Sequence, residues 1–522
     1  MGLWDKLFSK GNKNQDGLKV HKNIDKNLQA IKDILTDASD VVYREIKVGD
    51  ELDYKAVLIY VDGMADRILL NKFVLTNLMI STRITDERPI SKEEVPKLIK
   101  ERVIAVSETK EVDTIDDAVL NILSGETVLL LDGYEKIVIV ASKGWPARGV
   151  SDPVTESVIR GPRDGFTETL RVNTVLIRRR IRDPRLKTKP YQLGVRSKTD
   201  VAVFYIEDIV EKNLLEEANK RLKQIEIDAI LESGIVEQFI EDNWISLFPQ
   251  TQYTERPDVV AAALYEGKVA IVVDNSPFVL LIPATFNSLM QSAEDYYERW
   301  AIATAIRFLR YLAVFISLTA PSLYVALTSF HPQMIPVKLA LALAANRQGV
   351  PFPSIVEALL MEATIEILRE AGVRLPKPIG ATIGIVGGLV IGQAAVEAGL
   401  VAPLMVIVVA VTAISSFAIP SYNVSIAFRL LRFIFIFAAG FLGLYGISLV
   451  GLLLLIHLCS LKSFGTPYLS PFVVFIDNIS DLKDSIIKAP AIALSNRPST
   501  ANRGQKNRMD DKRPEDFGKG EK

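Results

Sequence analysis

The chain has 522 residues, 61 basic against 62 acidic, and a single cysteine, Cys459. That length needs more than one core, and the balanced charge argues against a protein built around nucleic acid. One cysteine leaves no internal disulfide, and three scattered histidines, His21, His331 and His457, make no His-rich metal site.

The charge is unevenly spread. Charged residues crowd positions 1–300, while long stretches between Phe308 and Leu461 carry almost none. The expected organisation is therefore an α+β soluble N-terminal region followed by an α-helical polytopic transmembrane domain. Met1–Lys10 has no continuous apolar core of the secretory kind, and Lys6 breaks the myristoylation pattern. Residues 1–45 read as a variable N-terminal segment.

The soluble region carries an internal repeat. DDAVLNILSGETVLLLDGYEKIVIV (116–140) and PDVVAAALYEGKVAIVVDNSPFVLLIP (257–283) share one plan of helix, turn, strand, turn and strand. Gly125 and Gly267 each end the helix, and Asp132 and Asp274 each open the hairpin turn. Both pairs are 142 positions apart. Upstream, the apolar strands YKAVLIYVDG (54–63) and DVAVFYIEDI (200–209) end in Asp62 and Glu207, each followed by a charged helical pattern. The reading is two related α/β units, 46–155 and 156–295. No Walker A loop, dinucleotide fingerprint or HExxH occurs, so neither an enzyme nor a cofactor is expected. The basic run RVNTVLIRRRIRDPRLK (171–187) reads first as solvated or a subunit contact, then as a surface for anionic lipid.

A spanning helix needs about 20 apolar residues. Phe308–Phe330 qualifies, with Arg307 and Arg310 just before or at its start and Pro321 inside it. Ile379–Ala398 and Leu400–Ala418 make a second and third span. Phe433–Ser460 makes a fourth, preceded by Arg429 and Arg432, and long enough to need tilt or a break. The transmembrane domain is placed at 296–465, with an amphipathic segment at 351–372. A post-membrane segment follows at 466–495 and a disordered tail at 496–522. Four crossings leave Arg369, Arg374, Lys377, Arg429 and Arg432 outside, against the positive-inside tendency. An extra crossing or re-entrant piece around Ile335–Ala345 would relieve this.

In the amphipathic segment Glu362, Glu366 and Glu370 recur every four residues. They form either a solvent-facing stripe offset by Arg369 or an acidic vestibule at a pore mouth. On a helical wheel of Ile379–Ala398, Gly384, Gly388, Gly392, Ala395 and Gly399 share one arc that admits a close helix neighbour. Thr382, Val386, Leu389, Gln393 and Glu397 share roughly the opposite arc, polar at both ends and apolar between. This face either lines a pore closed at its apolar middle or belongs to a tightly packed bundle helix.

These residues carry a family resemblance. PFPSIVEALLMEATIEILREAGVRLPKPIGATIGIVGGLVIGQAAVEAGLV (351–401) resembles the A subunits of spore germinant receptors, the GerA family. So do VIRGPRDGFTETLRVNT (158–174), FPQTQYTERPDVV (248–260), VDNSPFVLLIP (273–283), EDYYERW (294–300) and SFGTPYLSP (463–471). The resemblance covers roughly residues 50–490. It implies a protein of the spore inner membrane that acts with a transporter-like B subunit, thought to bind the germinant, and a lipoprotein C subunit. It further implies a homo-oligomeric ring in membrane lipid, thought to form a ligand-gated cation channel that triggers germination. A non-conducting scaffold and a secondary transporter are the other classes. The RRRIRDPRL run (178–186) is also similar to a sporulation-stage amplifier branch of the family.

Overall fold

The computed structural model describes residues 18–48, 54–76, 109–144, 152–153, 156–374, 390–473, 481–498, 500–505 and 507–508. The first unit holds helix α1 (Ile24–Ile34), strands β1 (Val41–Val48), β2 (Tyr54–Val61) and β3 (Thr109–Val112), helix α2 (Ile115–Leu123), and strands β4 (Thr127–Leu131) and β5 (Ile137–Val140). The second unit holds α3 (Leu170–Arg178), β6 (Leu186–Leu193), β7 (Thr199–Ile206), α4 (Lys212–Lys223), α5 (Ser233–Ile240), β8 (Gln252–Thr254), α6 (Pro257–Tyr265), β9 (Val269–Val273) and β10 (Val279–Ile282). The two sheets have the same order, β1-β2-β4-β5-β3 and β6-β7-β9-β10-β8, with every neighbour antiparallel.

Both sheets are covered on both faces, which is why their central strands are continuous apolar runs. In the first, Val57, Ile59, Val128 and Leu130 pack under α1 and α2, while Ala56, Leu58, Leu129 and Leu131 face Leu70 and Val74. In the second, Phe204, Ala270 and Val272 pack under α3 and α6, while Val203, Ile271 and Leu280 face α4 and α5.

The repeat extends to single hydrogen bonds. Buried Asn27 accepts from the amide of His21 and donates to its carbonyl, at 2.9 and 2.7 Å. Buried Asn173 makes the same pair with Thr167, at 2.8 and 2.6 Å. The hairpin aspartates repeat as well: Asp132 accepts from the amide of Ile24, and Asp274 from that of Leu170. Both helix-ending glycines, Gly125 and Gly267, have positive φ. The first unit therefore includes α1 and the start of β1, which the sequence reading assigned to the variable 1–45 segment.

The basic run 171–187 is neither solvated nor turned to lipid as a whole. Arg178 is fully buried at the seam between the units, where it holds both oxygens of Asp40 at 2.7 Å and donates to the Leu186 carbonyl. Arg171 pairs with Asp62, Arg180 with Asp164, and Arg185 with Asp183 and Asp208. An open cleft of about 340 Å³ lies on the same seam, lined by Lys32, Asp37, Tyr43, Thr188, Lys189 and Tyr205.

The C-terminal half contains α7 (Trp300–Ser329), α8 (Val337–Arg347), α9 (Ser354–Arg374), α10 (Gly392–Glu397), α11 (Pro403–Phe417) and α12 (Tyr422–Ser460). Helices α7 and α12 are long and apolar enough to cross a membrane by length and composition. Helix α12 is not one straight rod. Gly443 has φ 60° and ψ −139° inside it, a conformation that suits glycine alone. Phe428 and His457 both lie against Phe248, with ring centroids 5.4 and 6.3 Å away. In a straight helix those two residues would stand about 43 Å apart. The chain therefore folds back at Gly443, with His331 and Phe330, just past the end of α7, against the tip.

This fold-back changes the expected topology. The segment read as one span from Phe433 is two arms, both with their outer ends at the soluble region. Arg429 and Arg432 thus lie on the first arm, which starts at the soluble region, and Arg432 is buried within the bundle. Helix α8 covers most of the stretch read as an extra crossing or re-entrant piece, and its 11 residues are too few for a full crossing. After α12 a short hairpin, β11 (Lys462–Ser463) and β12 (Thr466–Pro467), docks on the second unit through Phe464. The expected disordered tail is in part ordered. Ala501 is buried beneath α6, Asn502 donates to the Ile209 carbonyl at 2.8 Å, and Arg497 donates to the Tyr265 carbonyl.

Candidate functional site: a charged core inside the helical bundle

Helix α7 leaves the soluble region through an ionic joint. Asp295 is buried and receives Arg307 Nε at 3.0 Å and Arg310 Nη1 and Nη2 at 2.9 and 3.1 Å. Burial alone would raise the Asp295 carboxyl, but Arg310 and Arg307 beside it hold it below its ordinary value. Arg307 reaches on to Asp484 at 2.8 Å, beyond the end of the bundle. Phe248 inserts from the soluble side among Phe428, His457 and Tyr468.

Deeper in the bundle, Pro321 lies inside α7 and has no N–H for the carbonyl of Ser317, four residues earlier. Arg432 supplies the missing donor: its Nε reaches that carbonyl at 2.6 Å. Its Nη1 reaches Glu362 Oε2, also at 2.6 Å. Arg432 and Glu362 are both about 1 % exposed. Among the described residues neither Glu362 Oε1 nor Arg432 Nη2 finds a hydrogen-bond partner. One side chain of α12 thus ties the proline break of α7 to α9.

Two further carboxylates extend the core along α9. Fully buried Glu357 accepts from Arg347 at 2.9 Å and from the amide of Ala402 at 3.0 Å. Ala402 caps α11, so the anion also sits at a favourable helix N-terminus. Glu366 pairs with Arg369 and Arg429 at 3.5 and 3.4 Å. Buried ion pairs of this kind add little net stability, yet removing one half is costly because the other charge is left buried and alone.

The predicted vestibule residues are thus split. Glu362 and Glu366 point into the bundle with their charges matched by arginines, which corrects the solvent-facing stripe; Glu370 alone is exposed. Of the predicted pore face, Thr382, Val386 and Leu389 lie outside the described residues, as do Gly384 and Gly388. Gln393 and Glu397 are exposed and bonded to each other at 2.8 Å. Gly392 and Ala395 are buried, and a Cβ on Gly392 would stand 3.4 Å from Val406 of α11. A Cβ on Gly399 would stand 3.0 Å from the Gly349 carbonyl. Sequence reasoning missed Glu357 and the role of Arg432. The available signal was a second carboxylate, at 357, in the same apolar helix as Glu362, and an arginine just inside another. No cluster of metal-ligating side chains occurs among the described residues.

Comparison with known proteins gives a consistent likeness. Residues 29–500 match the family described as Bacillus/Clostridium GerA spore germination protein. Spore germination protein KA of Bacillus subtilis (strain 168) is 43 % identical over 497 residues, covering 95 % of this chain and 90 % of that protein. Spore germination protein GerLA of Bacillus cereus is 43 % identical, covering 92 % and 96 %. Spore germination protein A1 of B. subtilis is 45 % identical, covering 84 % and 92 %. The solved N-terminal domain of the A subunit of the Bacillus megaterium spore germinant receptor GerK3 is 33 % identical. It covers 52 % of this chain and 99 % of that domain, at a TM-score of 0.42.

Proposed function

This chain belongs to the Bacillus/Clostridium GerA family of spore germination proteins, and on that premise we propose that it is the A subunit of a nutrient germinant receptor that conducts cations across the spore inner membrane. The bundle spans the bilayer, copies of the chain assemble into a ring, and a B subunit and a lipoprotein C subunit complete the receptor. The observation that carries the conducting role is the two-sidedness of α10. Its small residues Gly392 and Ala395 are packed inward, while Gln393 and Glu397 stand on the exposed face. Lipid would penalise that polar pair, so water or a neighbouring subunit faces it. In this reading Thr382, Val386 and Leu389 continue the same face, with Leu389 at the apolar constriction. In this reading the exposed Glu370 is the member of the acidic series that faces a mouth.

The test is cation flux. The purified receptor in liposomes should pass potassium and sodium when nutrient is added, and Leu389→Ala should leak without nutrient. A protein that binds its partners normally yet passes no ion with or without nutrient would be a scaffold. The ordered inter-unit seam gives that second reading its support, since Arg178 and Asp40 suit the soluble half to relaying force.

A further inference from the structure

The loop Asp242–Phe248, between α5 and β8, is held rigidly at its base yet presents apolar side chains outward. Buried Gln250 accepts from the amide of Asn243 at 2.9 Å and donates to its carbonyl at 2.8 Å. Asp242 is fixed by Arg221 and by the amide of Phe464, both at 2.6 Å. Within this clamp Trp244 is 82 % exposed, Ile245 72 % and Leu247 47 %, while Phe248 beside them is buried in the bundle. A pinned loop with its indole in the open carries an unsatisfied apolar surface, not a frayed one.

The position of the loop says what covers it. Ser246 Oγ lies 3.0 Å from His457 Nε2, within one turn of the end of α12. The arm that ends there exposes Leu452, Leu453, Leu455 and Ile456. Two other aromatic side chains stand exposed at the soluble ends of bundle helices: Trp300 opens α7 and Tyr422 opens α12. Tryptophan and tyrosine collect where acyl chains meet headgroups, because the ring is apolar and its N–H or O–H is polar. We infer that Trp244, Ile245 and Leu247 form a lipid anchor on the soluble region, dipping into the membrane interface at the level marked by Trp300 and Tyr422. The anchor sets the depth and tilt of the second α/β unit against the bilayer. It rests on the reading that α7 and α12 span that bilayer.

The experiment uses full-length protein with one tryptophan retained, Trp244 or Trp300, the other three of Trp4, Trp145, Trp244 and Trp300 being replaced by phenylalanine. Each protein is reconstituted in phosphatidylcholine–phosphatidylglycerol vesicles whose acyl chains are brominated near the headgroup end or near the methyl end. Trp244 emission should shift to the blue and be quenched by the shallow bromines to the same fraction as Trp300, with deep bromines weaker for both. Quenching of Trp300 without quenching of Trp244 overturns the anchor. Red emission then places the loop in water, and unquenched blue emission places it against protein. Quenching of neither tryptophan defeats the spanning reading itself, and the anchor with it.

Discussion

Arg432 donates to the carbonyl oxygen of Ser317, the acceptor that Pro321 leaves without a helical partner. A proline break costs a helix its hydrogen bond and about 3 kcal/mol or more when nothing replaces it. Here the replacement comes from another helix, so the proline turn of α7 and the position of α12 are set together. Arg432→Ala should remove that donor and leave Glu362 charged and alone, a loss of about 3–5 kcal/mol. The double variant Arg432→Met, Glu362→Leu should recover much of it. Thermal unfolding in detergent micelles reads both. Equal loss in the single and double variants would show that the carboxylate does not depend on its partner.

The two α/β units should be coupled through Arg178. It is fully buried and grips Asp40 with two nitrogens. Asp40→Ala strands the guanidinium and should destabilise the soluble half by about 3–5 kcal/mol. Arg171→Ala, at a half-exposed pair with Asp62, should cost about 1 kcal/mol or less. Chemical denaturation of the two variants side by side checks the contrast.

Stability should fall as pH rises from about 4.5 to about 7. Burial pushes Glu156 and Glu241 up to about 7 from the ordinary 4.5. Between those values the folded chain holds protons that the unfolded chain has released, so stabilisation is greatest at the acid end and is lost through the folded pKa. Glu156→Gln and Glu241→Gln should each flatten the profile of melting temperature against pH across that window. A profile unchanged by either substitution would remove these carboxyls as its source.

The fold-back at Gly443 predicts a distance. Spin labels at exposed Cys459 and at Tyr422→Cys should lie close together, since both arms end at the soluble region. A straight α12 would hold them about 55 Å apart. Gly443→Val should lengthen that distance or prevent folding. A Cβ there would meet His331 Nε2 and Phe330 Cβ at 2.9 Å, besides the strain of its backbone angles.

The duplicated soluble fold was legible because its marks are local: a glycine at a helix end and an aspartate at a hairpin turn recur at one offset. Asn27 and Asn173 were not singled out, since a buried asparagine reads like any polar residue until its partners are seen. Hydropathy marked the apolar helices α7, α11 and α12, but not the reversal inside the last. One glycine among four in an apolar run, Gly440, Gly443, Gly446 and Gly451, reverses the chain, and composition does not say which. The charged core escaped for a related reason. Glu362 and Arg432 are 70 residues apart; alone, one resembles part of a solvated stripe and the other a cation flanking a span. Arg178 misled in the opposite direction, because a run of cations looks solvated unless its acids are placed opposite.

The segment after the bundle has a mechanical consequence. It bonds Asp484 to Arg307 and Lys488 to Thr304 at the start of α7, then continues to Ala501 and Asn502 beneath the second unit. The start of α7 is thereby laced to the same block on which the hairpin after α12 is docked. A shift of that block pulls on both together, so neither is free to slide while the other stays put.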